Sequence, residues 1–302
     1  MVKRILNIIF LLLFVTTAMF GQVRRHRVNR DTRHYFYSNI TPAYSIIFDD
    51  FENTQEKGGF GSIVGLGYSF MLPYFWLEIG AEMQSLSSYM TIIDDLSDKR
   101  VRDTEGDEVT YHYNKDLWYD RQDLLYVGVP LMLGYRYYKG FSIGVGFKYS
   151  FNVFGESRNR LRYSISSTYS DYIEDFENMP NHFCGDYDMF VRRDITRKVM
   201  DHKGAVCLEA GYVVYDNHKN YTSIRNRHVL FRLSGYFEYG LSQLMRNYEV
   251  HEMYTLNPAN PAELINNPYY LSTSTRSKRT VPFVVGVRWT YTLATITCRT
   301  CR

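Results

Sequence analysis

Residues 281–291, with the sequence VPFVVGVRWTY, decide the fold because apolar residues recur there at every second position. The apolar set is Val281, Phe283, Val285, Val287, Trp289 and Tyr291. The intervening set contains Pro282, Gly286, Arg288 and Thr290. A two-residue period places the two sets on opposite faces of a β-strand. An apolar face opposite a face that carries a charge is typical of the strands of transmembrane β-barrels.

The same alternation recurs along the chain and predicts eight strands. They cover residues 34–48, 60–71, 75–92, 122–138, 141–154, 204–215, 227–241 and 280–293. The predicted lipid face of the fourth strand is Leu125, Val127, Val129, Leu131 and Leu133. That of the seventh strand is Val229, Phe231, Leu233, Phe237 and Tyr239. The predicted fold class is therefore all-β, an antiparallel up-and-down transmembrane barrel of eight strands.

The two ends of the sequence indicate an exported protein. Residues 1–22 combine Lys3 and Arg4 with a short apolar run and small residues, the pattern of a signal peptide. We expect a basic arm over residues 23–33, one barrel domain over 34–293 and a tail over 294–302.

Aromatic residues make up 17% of the chain, which fits the aromatic belts of membrane proteins. A net charge of +3 gives no reason to expect a nucleic-acid partner.

The connections between the predicted strands alternate in length. Residues 72–74, 139–140 and 216–226 form the shorter set, and residues 49–59, 93–121, 155–203 and 242–279 form the longer set. Outer-membrane barrels have short periplasmic turns and long external loops. The longer set is therefore predicted to be external, with the signal-cleaved chain inserted in the outer membrane of a Gram-negative bacterium. A further hairpin near residues 160–169 would raise the strand number to ten.

The predicted interior face carries charges of both signs. They are Glu78, Glu82, Arg136, Lys148, Glu209, Arg232, Glu238 and Arg288. An eight-stranded barrel is just wide enough for side chains to fill, and buried charges must pair. Four acids and four bases therefore predict a closed, salt-bridged interior. A periplasmic aromatic girdle is predicted from Tyr74, Tyr135, Tyr137, Phe141, Trp289 and Tyr291.

Four segments resemble strands of the PorT-like outer-membrane barrels of Bacteroidota, a family of the OmpA/OmpX-like eight-stranded type. Residues 125–137, LYVGVPLMLGYRY, are similar to that family's "IPLLLKY" strand, and residues 140–154 to its "GPYVGY" strand. Residues 236–241, YFEYGL, resemble "RYNYGL", and the last strand resembles "GLGYRF". The resemblance implies the barrel fold and the outer-membrane location. It also raises a link to a secretion or surface-assembly system.

No motif in the sequence indicates catalysis. There is no Gly-x-Ser-x-Gly elbow, and His251 and Glu252 lack the second histidine of a zinc-protease helix. We therefore expect no catalytic, cofactor-binding or metal-binding residues and a non-enzymatic protein. The favoured function is binding or scaffolding through the external loops, with lipid around the barrel and a protein or surface-glycan partner. A small-solute pore and a lipid-modifying enzyme are the alternatives, and the oligomeric state is left open.

Overall fold

The structure, a computed structural model, describes twelve β-strands and the residues next to them. The described residues are 34–48, 54–72, 74–92, 98–102, 108–137, 140–169, 184–196, 202–215, 229–242, 244, 254–257, 260–266 and 281–296. Within these ranges no helix is long and apolar enough to cross a membrane. The predicted signal peptide, the basic arm and most of the tail lie outside them.

The strands account for nearly all of the described backbone. They are β1 (His34–Phe48), β2 (Thr54–Met71), β3 (Phe75–Ile92), β4 (Lys99–Arg102), β5 (Glu108–Arg136), β6 (Phe141–Tyr169), β7 (Gly185–Asp194), β8 (His202–Tyr215), β9 (Val229–Gly240), β10 (Tyr254–Asn257), β11 (Asn260–Asn266) and β12 (Val281–Ile296).

Eight of these strands close into a ring. The order is β1–β2–β3–β5–β6–β8–β9–β12, and β12 pairs back onto β1. Every pair in the ring is antiparallel. Closure leaves no unpaired edge inside the ring, which a hydrocarbon environment requires. The predicted fold class is confirmed, with eight strands in the ring rather than ten.

The ring is apolar outside and polar inside. Its exposed apolar side chains include Phe36, Ile40, Val64, Leu66, Leu77, Ile79, Val127, Val129, Leu131, Leu133, Ile143, Val145, Phe147, Leu208, Leu233, Phe237, Val287 and Trp289. Charged side chains of the same strands are buried within the ring, among them Glu78, Glu82, Arg136, Lys148, Glu209, Arg232, Glu238 and Arg288. This polarity is the inverse of a water-soluble barrel and is that of a transmembrane one. Val229 and Val281 are exceptions to the predicted apolar outer face. Val229 is turned inward by a register shift beside Tyr215, and Val281 is buried at the distal end of β12.

Both chain ends of the barrel lie at one end, which we call the terminal end. His34, the first residue of β1, pairs with Ile296, the last residue of β12. The β5–β6 turn also lies at this end and is made tight by Gly140, whose φ of 104° favours glycine. The Gly140 N–H donates a hydrogen bond of 3.0 Å to the Tyr137 carbonyl. We call the opposite end the distal end.

Two strands continue far beyond the ring at the distal end. β5 and β6 each contain 29 residues and pair with each other from Val109 and Tyr169 down to the turn. A register shift at Leu125 and Tyr126 marks where the extension begins, as bulges often do at barrel rims. β4 pairs with β5 and β7 pairs with β6 along the extension. We call residues 99–102, 108–124, 155–169 and 185–194 the projecting sheet.

The extension corrects three predictions about the connections. Residues 108–121 and 155–169 were predicted to be loop but are strand. Residues 160–169 form no separate hairpin, because they continue β6. β2 begins at Thr54, so the distal link 49–53 is shorter than the terminal-end link 216–228, and the predicted division into a longer and a shorter set fails, although each distal link is still longer than the terminal-end links beside it. The final strand also runs to Ile296, three residues past the predicted boundary at 293.

The projecting sheet predicts slow backbone hydrogen exchange far from the membrane. In detergent-solubilised protein, we expect the amides of residues 109–124 and 155–165 to exchange slowly, because both segments are paired on two sides over much of their length. Hydrogen-exchange mass spectrometry measures this directly. Complete exchange of these segments within seconds would contradict the extension, and the ring segment of β5 serves as the internal control.

Candidate functional site

All eight charged residues predicted for the interior lie inside the ring, and each is at most 4% exposed. Seven of them, together with Lys203, form one continuous chain of ion pairs. Its order is Glu78, Arg232, Glu209, Arg288, Glu82, Lys148, Glu238 and Lys203. Four carboxylates therefore meet four cations, and the formal charge of the chain is zero. We call these eight residues the interior ion chain.

Glu238 on β9 is the most densely bonded member of the chain. It accepts hydrogen bonds from the ammonium groups of Lys148 and Lys203, the second at 2.5 Å. Gln84 donates to both of its oxygens at 3.1 Å, and the Tyr236 hydroxyl donates at 2.8 Å. The four donors come from β3, β6, β8 and β9, so this one carboxylate joins strands from across the ring.

The two arginines carry the chain toward the terminal end. Arg232 donates to both oxygens of Glu78, at 3.0 and 2.7 Å, and through Nε to Glu209 at 2.6 Å. Arg288 lies 2.9 Å from Glu82 and 3.8 Å from Glu209. The paired geometry of Arg232 and Glu78 is the strong bidentate form of a charge-assisted hydrogen bond.

Aromatic rings cover the arginines on the side away from the carboxylates. The guanidinium of Arg288 lies 3.8 Å from the ring centre of Tyr236, and that of Arg232 lies 4.3 Å from that of Trp76. Trp76 fits inside the barrel because its neighbours are glycines. A Cβ atom on Gly134 would come within 2.1 Å of the indole, and one on Gly144 within 2.6 Å.

Lys203 is the charged member that the sequence prediction missed. It was placed in a loop because the sixth predicted strand began at residue 204, whereas β8 begins at His202. The two-residue period that turns Ala205, Cys207 and Glu209 inward also includes Lys203, so the signal was present. Arg136 lies instead at the terminal end, where it donates to the Leu72 carbonyl at 3.2 Å and covers the Tyr215 ring.

The members of the interior ion chain contact one another across the middle of the ring. Its members are held by named partners on several strands, and they are interleaved with buried aromatic rings and Met132. Opposite charges in contact satisfy each other, which offsets the cost of removing them from water. Among the described residues, no group of three or more histidine, cysteine or acidic side chains is placed to hold a metal ion.

The six residues predicted for the aromatic girdle are exposed on the outside of the ring. Tyr74 stacks on Tyr135 with ring centres 6.4 Å apart, and Phe75 meets Tyr135 edge-on. Tyr137 and Phe141 flank the β5–β6 turn. Trp289 and Tyr291 lie opposite Leu233 and Phe231, near the start of β9. All six thus lie on the half of the outer surface toward the terminal end.

The projecting sheet has an apolar inner face and a charged outer face. Tyr111, Tyr113, Trp118, Leu161 and Tyr163 are buried on the inner face. On the outer face, Arg160 binds Asp188 through two hydrogen bonds of 3.0 and 2.6 Å. Those bonds lower the pKa of Asp188. The sheet is therefore a stiff, charged surface that extends beyond the lipid-facing belt.

Asp120 is the unusual acid of the projecting sheet. It is buried on the inner face and accepts hydrogen bonds from Ser157 at 2.7 Å and from Gln122 at 3.0 Å. Burial raises the pKa of Asp120 to about 6, although the two hydrogen bonds act in the opposite direction.

The fold and the interior define the class of this protein: an eight-stranded transmembrane barrel with a charge-paired interior. No protein-family model matches the chain, and no curated protein matches it. The resemblance to PorT-like barrels therefore stays a prediction. Several solved structures show distant similarity, among them the following two.

The first is the attachment invasion locus protein Ail of Yersinia pestis, in complex with the heparin analogue sucrose octasulfate. It is 11% identical, with a TM-score of 0.32 over 86% of this chain and 99% of that chain. The second is the outer membrane protease OmpT of Escherichia coli. It is 8% identical, with a TM-score of 0.22 over 87% and 97% of the two chains. At this distance neither similarity assigns a function to this chain.

Removing the central carboxylate of the interior ion chain should destabilise the barrel strongly. Glu238→Gln leaves Lys148 and Lys203 buried without their shared partner, a loss of about 3–5 kcal/mol in the free energy of unfolding. Urea titration of the detergent-folded protein, followed by gel mobility without boiling, measures the loss. The double variant Glu238→Gln/Lys203→Met should recover part of it, because Lys148 keeps Glu82.

Glu108→Gln is the matched control for this experiment. Glu108 pairs with Arg102 at 3.6 Å on the exposed surface, so its loss should cost less than about 1 kcal/mol. Equal effects of the Glu238 and Glu108 substitutions would contradict the structural role of the interior ion chain.

The raised pKa of Asp120 predicts that the projecting sheet is more stable in mild acid. Because the folded pKa of about 6 exceeds the ordinary 3.8, the folded state binds more protons between these values. The stability contribution is therefore lost as the pH rises from 4 through 6, by up to roughly 3 kcal/mol. Hydrogen exchange of β5, corrected for intrinsic rates, should show this trend in the native chain.

Two variants separate Asp120 from the other acids of the sheet. Asp120→Asn should lose the trend, while Asp188→Asn should keep it, because Asp188 is an exposed acid with a lowered pKa. An identical pH trend in the native and Asp120→Asn proteins would refute the assignment.

Proposed function

We propose that this protein is a non-enzymatic outer-membrane barrel whose ring anchors a binding surface formed by the projecting sheet. The observation that carries the proposal is the contrast between the two parts of the fold. The ring interior is filled by the interior ion chain, whereas the projecting sheet extends β5 and β6 by more than a dozen residues beyond the lipid-facing belt.

The orientation of the barrel in the membrane is inferred from the position of its termini. The termini share the terminal end, which in outer-membrane barrels faces the periplasm, so the projecting sheet would face the exterior. The aromatic girdle would then lie at the periplasmic interface. A stiff sheet in this position presents side chains to other molecules at little entropic cost, since paired strands are already ordered.

The partner that this surface fits is a polar or charged one. The outer face of the sheet carries Arg160, Arg162, Asp188 and Arg192 rather than an apolar patch. Surface glycans and protein partners with charged surfaces both meet this description. A role beside a secretion or surface-assembly system, as the PorT-like resemblance implies, would use the same sheet.

A trimmed variant separates anchor from binding surface. Residues 93–118 and 162–188 are each replaced by a short Gly-Ser linker, which joins neighbouring strand positions and leaves the ring unchanged. Displayed on a heterologous Gram-negative host, the full chain should promote adhesion to one or more members of an immobilised panel of glycans and matrix proteins. The trimmed chain should not, although it still folds and shifts in gel mobility on boiling. Equal adhesion by both chains would contradict the proposal.

Planar-bilayer conductance separates this function from a small-solute pore. The full chain should be electrically silent, because the interior ion chain fills the ring. The trimmed variant should be equally silent, since closure resides in the ring and not in the projecting sheet. Stable ion-conducting steps from both proteins would instead favour the pore.

A further inference from the structure

A cleft of about 580 Å³ lies on the outer face of the barrel, where the projecting sheet begins. Its lining is cationic and aromatic, with no acidic side chain among the residues that form it. The cations are Lys57, Arg121 and Arg158, and the aromatic residues are Tyr89, Tyr119 and Phe190. We propose that this cleft binds the phosphorylated saccharide headgroup of a glycolipid in the surrounding outer leaflet. The inference deepens the proposed function and rests on its orientation of the distal end.

The cations form one row across five neighbouring strands. Lys57 of β2 pairs in register with Tyr89 of β3, which pairs with Arg121 of β5. Arg121 pairs with Arg158 of β6, which pairs with Arg192 of β7. At the usual spacing between strands of about 4.8 Å, this row extends over roughly 19 Å. A row of this length can meet more than one phosphate of a single headgroup.

The arginines of the row are positioned by acids yet retain donors. Arg121 binds Asp123 through Nε at 3.0 Å, and Arg158 binds Glu156 through Nε as well. Arg192 also binds Glu156, at 2.6 Å. In Arg121 and Arg158 the Nε contacts leave the four N–H groups of the terminal nitrogens, and these are suited to bidentate binding of phosphate.

The aromatic residues suit the sugar part of such a headgroup. Phe190 is 60% exposed, and Tyr89 carries the guanidinium of Arg121 over its ring at 5.1 Å. Large, rigid rings with a polar edge offer apolar area to the flat face of a sugar and hydrogen bonds to its hydroxyl groups. A bare phosphate would use the cations alone and leave this part of the cleft empty.

The height of the cleft favours a saccharide headgroup over a phospholipid one. On the outward face of β5, Arg121 lies four positions toward the distal end from Leu125, which is the last aliphatic residue before the charged pair Asp123 and Arg121. With the usual strand rise and tilt, this places the row roughly 10 Å above the hydrocarbon boundary. A phospholipid headgroup layer is only about 5–8 Å thick, whereas a glycolipid carries its phosphates on sugars that extend further.

Native mass spectrometry of the full chain in detergent tests the inference. The probes are a bisphosphorylated glucosamine-disaccharide lipid, its dephosphorylated form and phosphatidylglycerol. The native chain should bind the bisphosphorylated lipid at least tenfold more tightly than either of the others. Equal binding of phosphatidylglycerol would show that the cleft responds to charge alone and would overturn the glycolipid assignment.

Matched variants locate the binding in the cleft. The triple variant Lys57→Gln/Arg121→Gln/Arg158→Gln should weaken binding of the bisphosphorylated lipid by roughly 100-fold, through loss of charge-assisted hydrogen bonds. The control Lys99→Gln/Arg100→Gln/Arg102→Gln removes the same charge from β4, outside the cleft lining, and should bind as the native chain does. Unchanged binding by the triple variant would overturn the inference.

Two further proteins cover the remaining outcomes. Arg121→Lys/Arg158→Lys keeps the charge and loses the bidentate fork, so it should bind with intermediate strength even if the triple variant fails to fold. The trimmed variant keeps Lys57, Arg121 and Arg158 and should still bind the glycolipid. Loss of adhesion by the trimmed variant thus reports on the proposed function, and loss of lipid binding by the triple variant reports on the cleft.

Discussion

Pairing of charges inside the ring is the constraint on which the rest of the structure depends. Four carboxylates and four cations lie in a space that an eight-stranded barrel can fill with side chains alone. Each charge would be costly there without a partner, and the partners come from different strands. The interior ion chain therefore joins strands that face each other across the ring as well as strands that are neighbours.

The apolar outer surface of the ring follows from the same inward placement of the charged residues. With charges directed inward, the two-residue period turns Val, Leu, Ile and Phe outward, where a lipid environment takes the place of a protein core. The ring is therefore suited to a membrane on its outside and to a side-chain-filled space on its inside. At the distal end, the extended β5 and β6 leave the lipid. The basic row of the cleft lies where the lipid-facing ring meets the projecting sheet, near the register shift at Leu125 and Tyr126.

The sequence predicted the ring well because lipid imposes a strict alternation. Residues 127–133 alternate without a break, and their outward face is the one that was predicted. The prediction failed beyond the lipid-facing ring, where lipid no longer requires a strict alternation. In residues 108–121 tyrosines alternate with polar residues, and neither face meets lipid, so the segment was predicted to be loop although it is strand. Val229 was misassigned because a local register shift reverses the period, and no residue type announces such a shift.

The charged site was predictable in composition but not in connectivity. The sequence indicated the inward position of Glu78, Glu82, Glu209 and Glu238, because these residues lie between apolar ones. It could not indicate that Lys203, rather than Arg136, completes the chain, since that depends on where β8 begins and how the strands are staggered. The cleft could not be predicted from the sequence, for a similar reason. Lys57, Arg121 and Arg158 are distant in sequence and meet only through the register of four strands.

The central claim is that the interior is closed, and Cys207 tests it most directly. This thiol is free, wholly buried inside the ring and 3.2 Å from the Tyr236 hydroxyl. In a variant with Cys184, Cys298 and Cys301 replaced by serine, a small charged methanethiosulfonate is applied to the membrane-inserted protein. The account predicts no labelling until the protein is unfolded by boiling. Rapid labelling of the folded protein would show water inside the barrel and would contradict a closed interior.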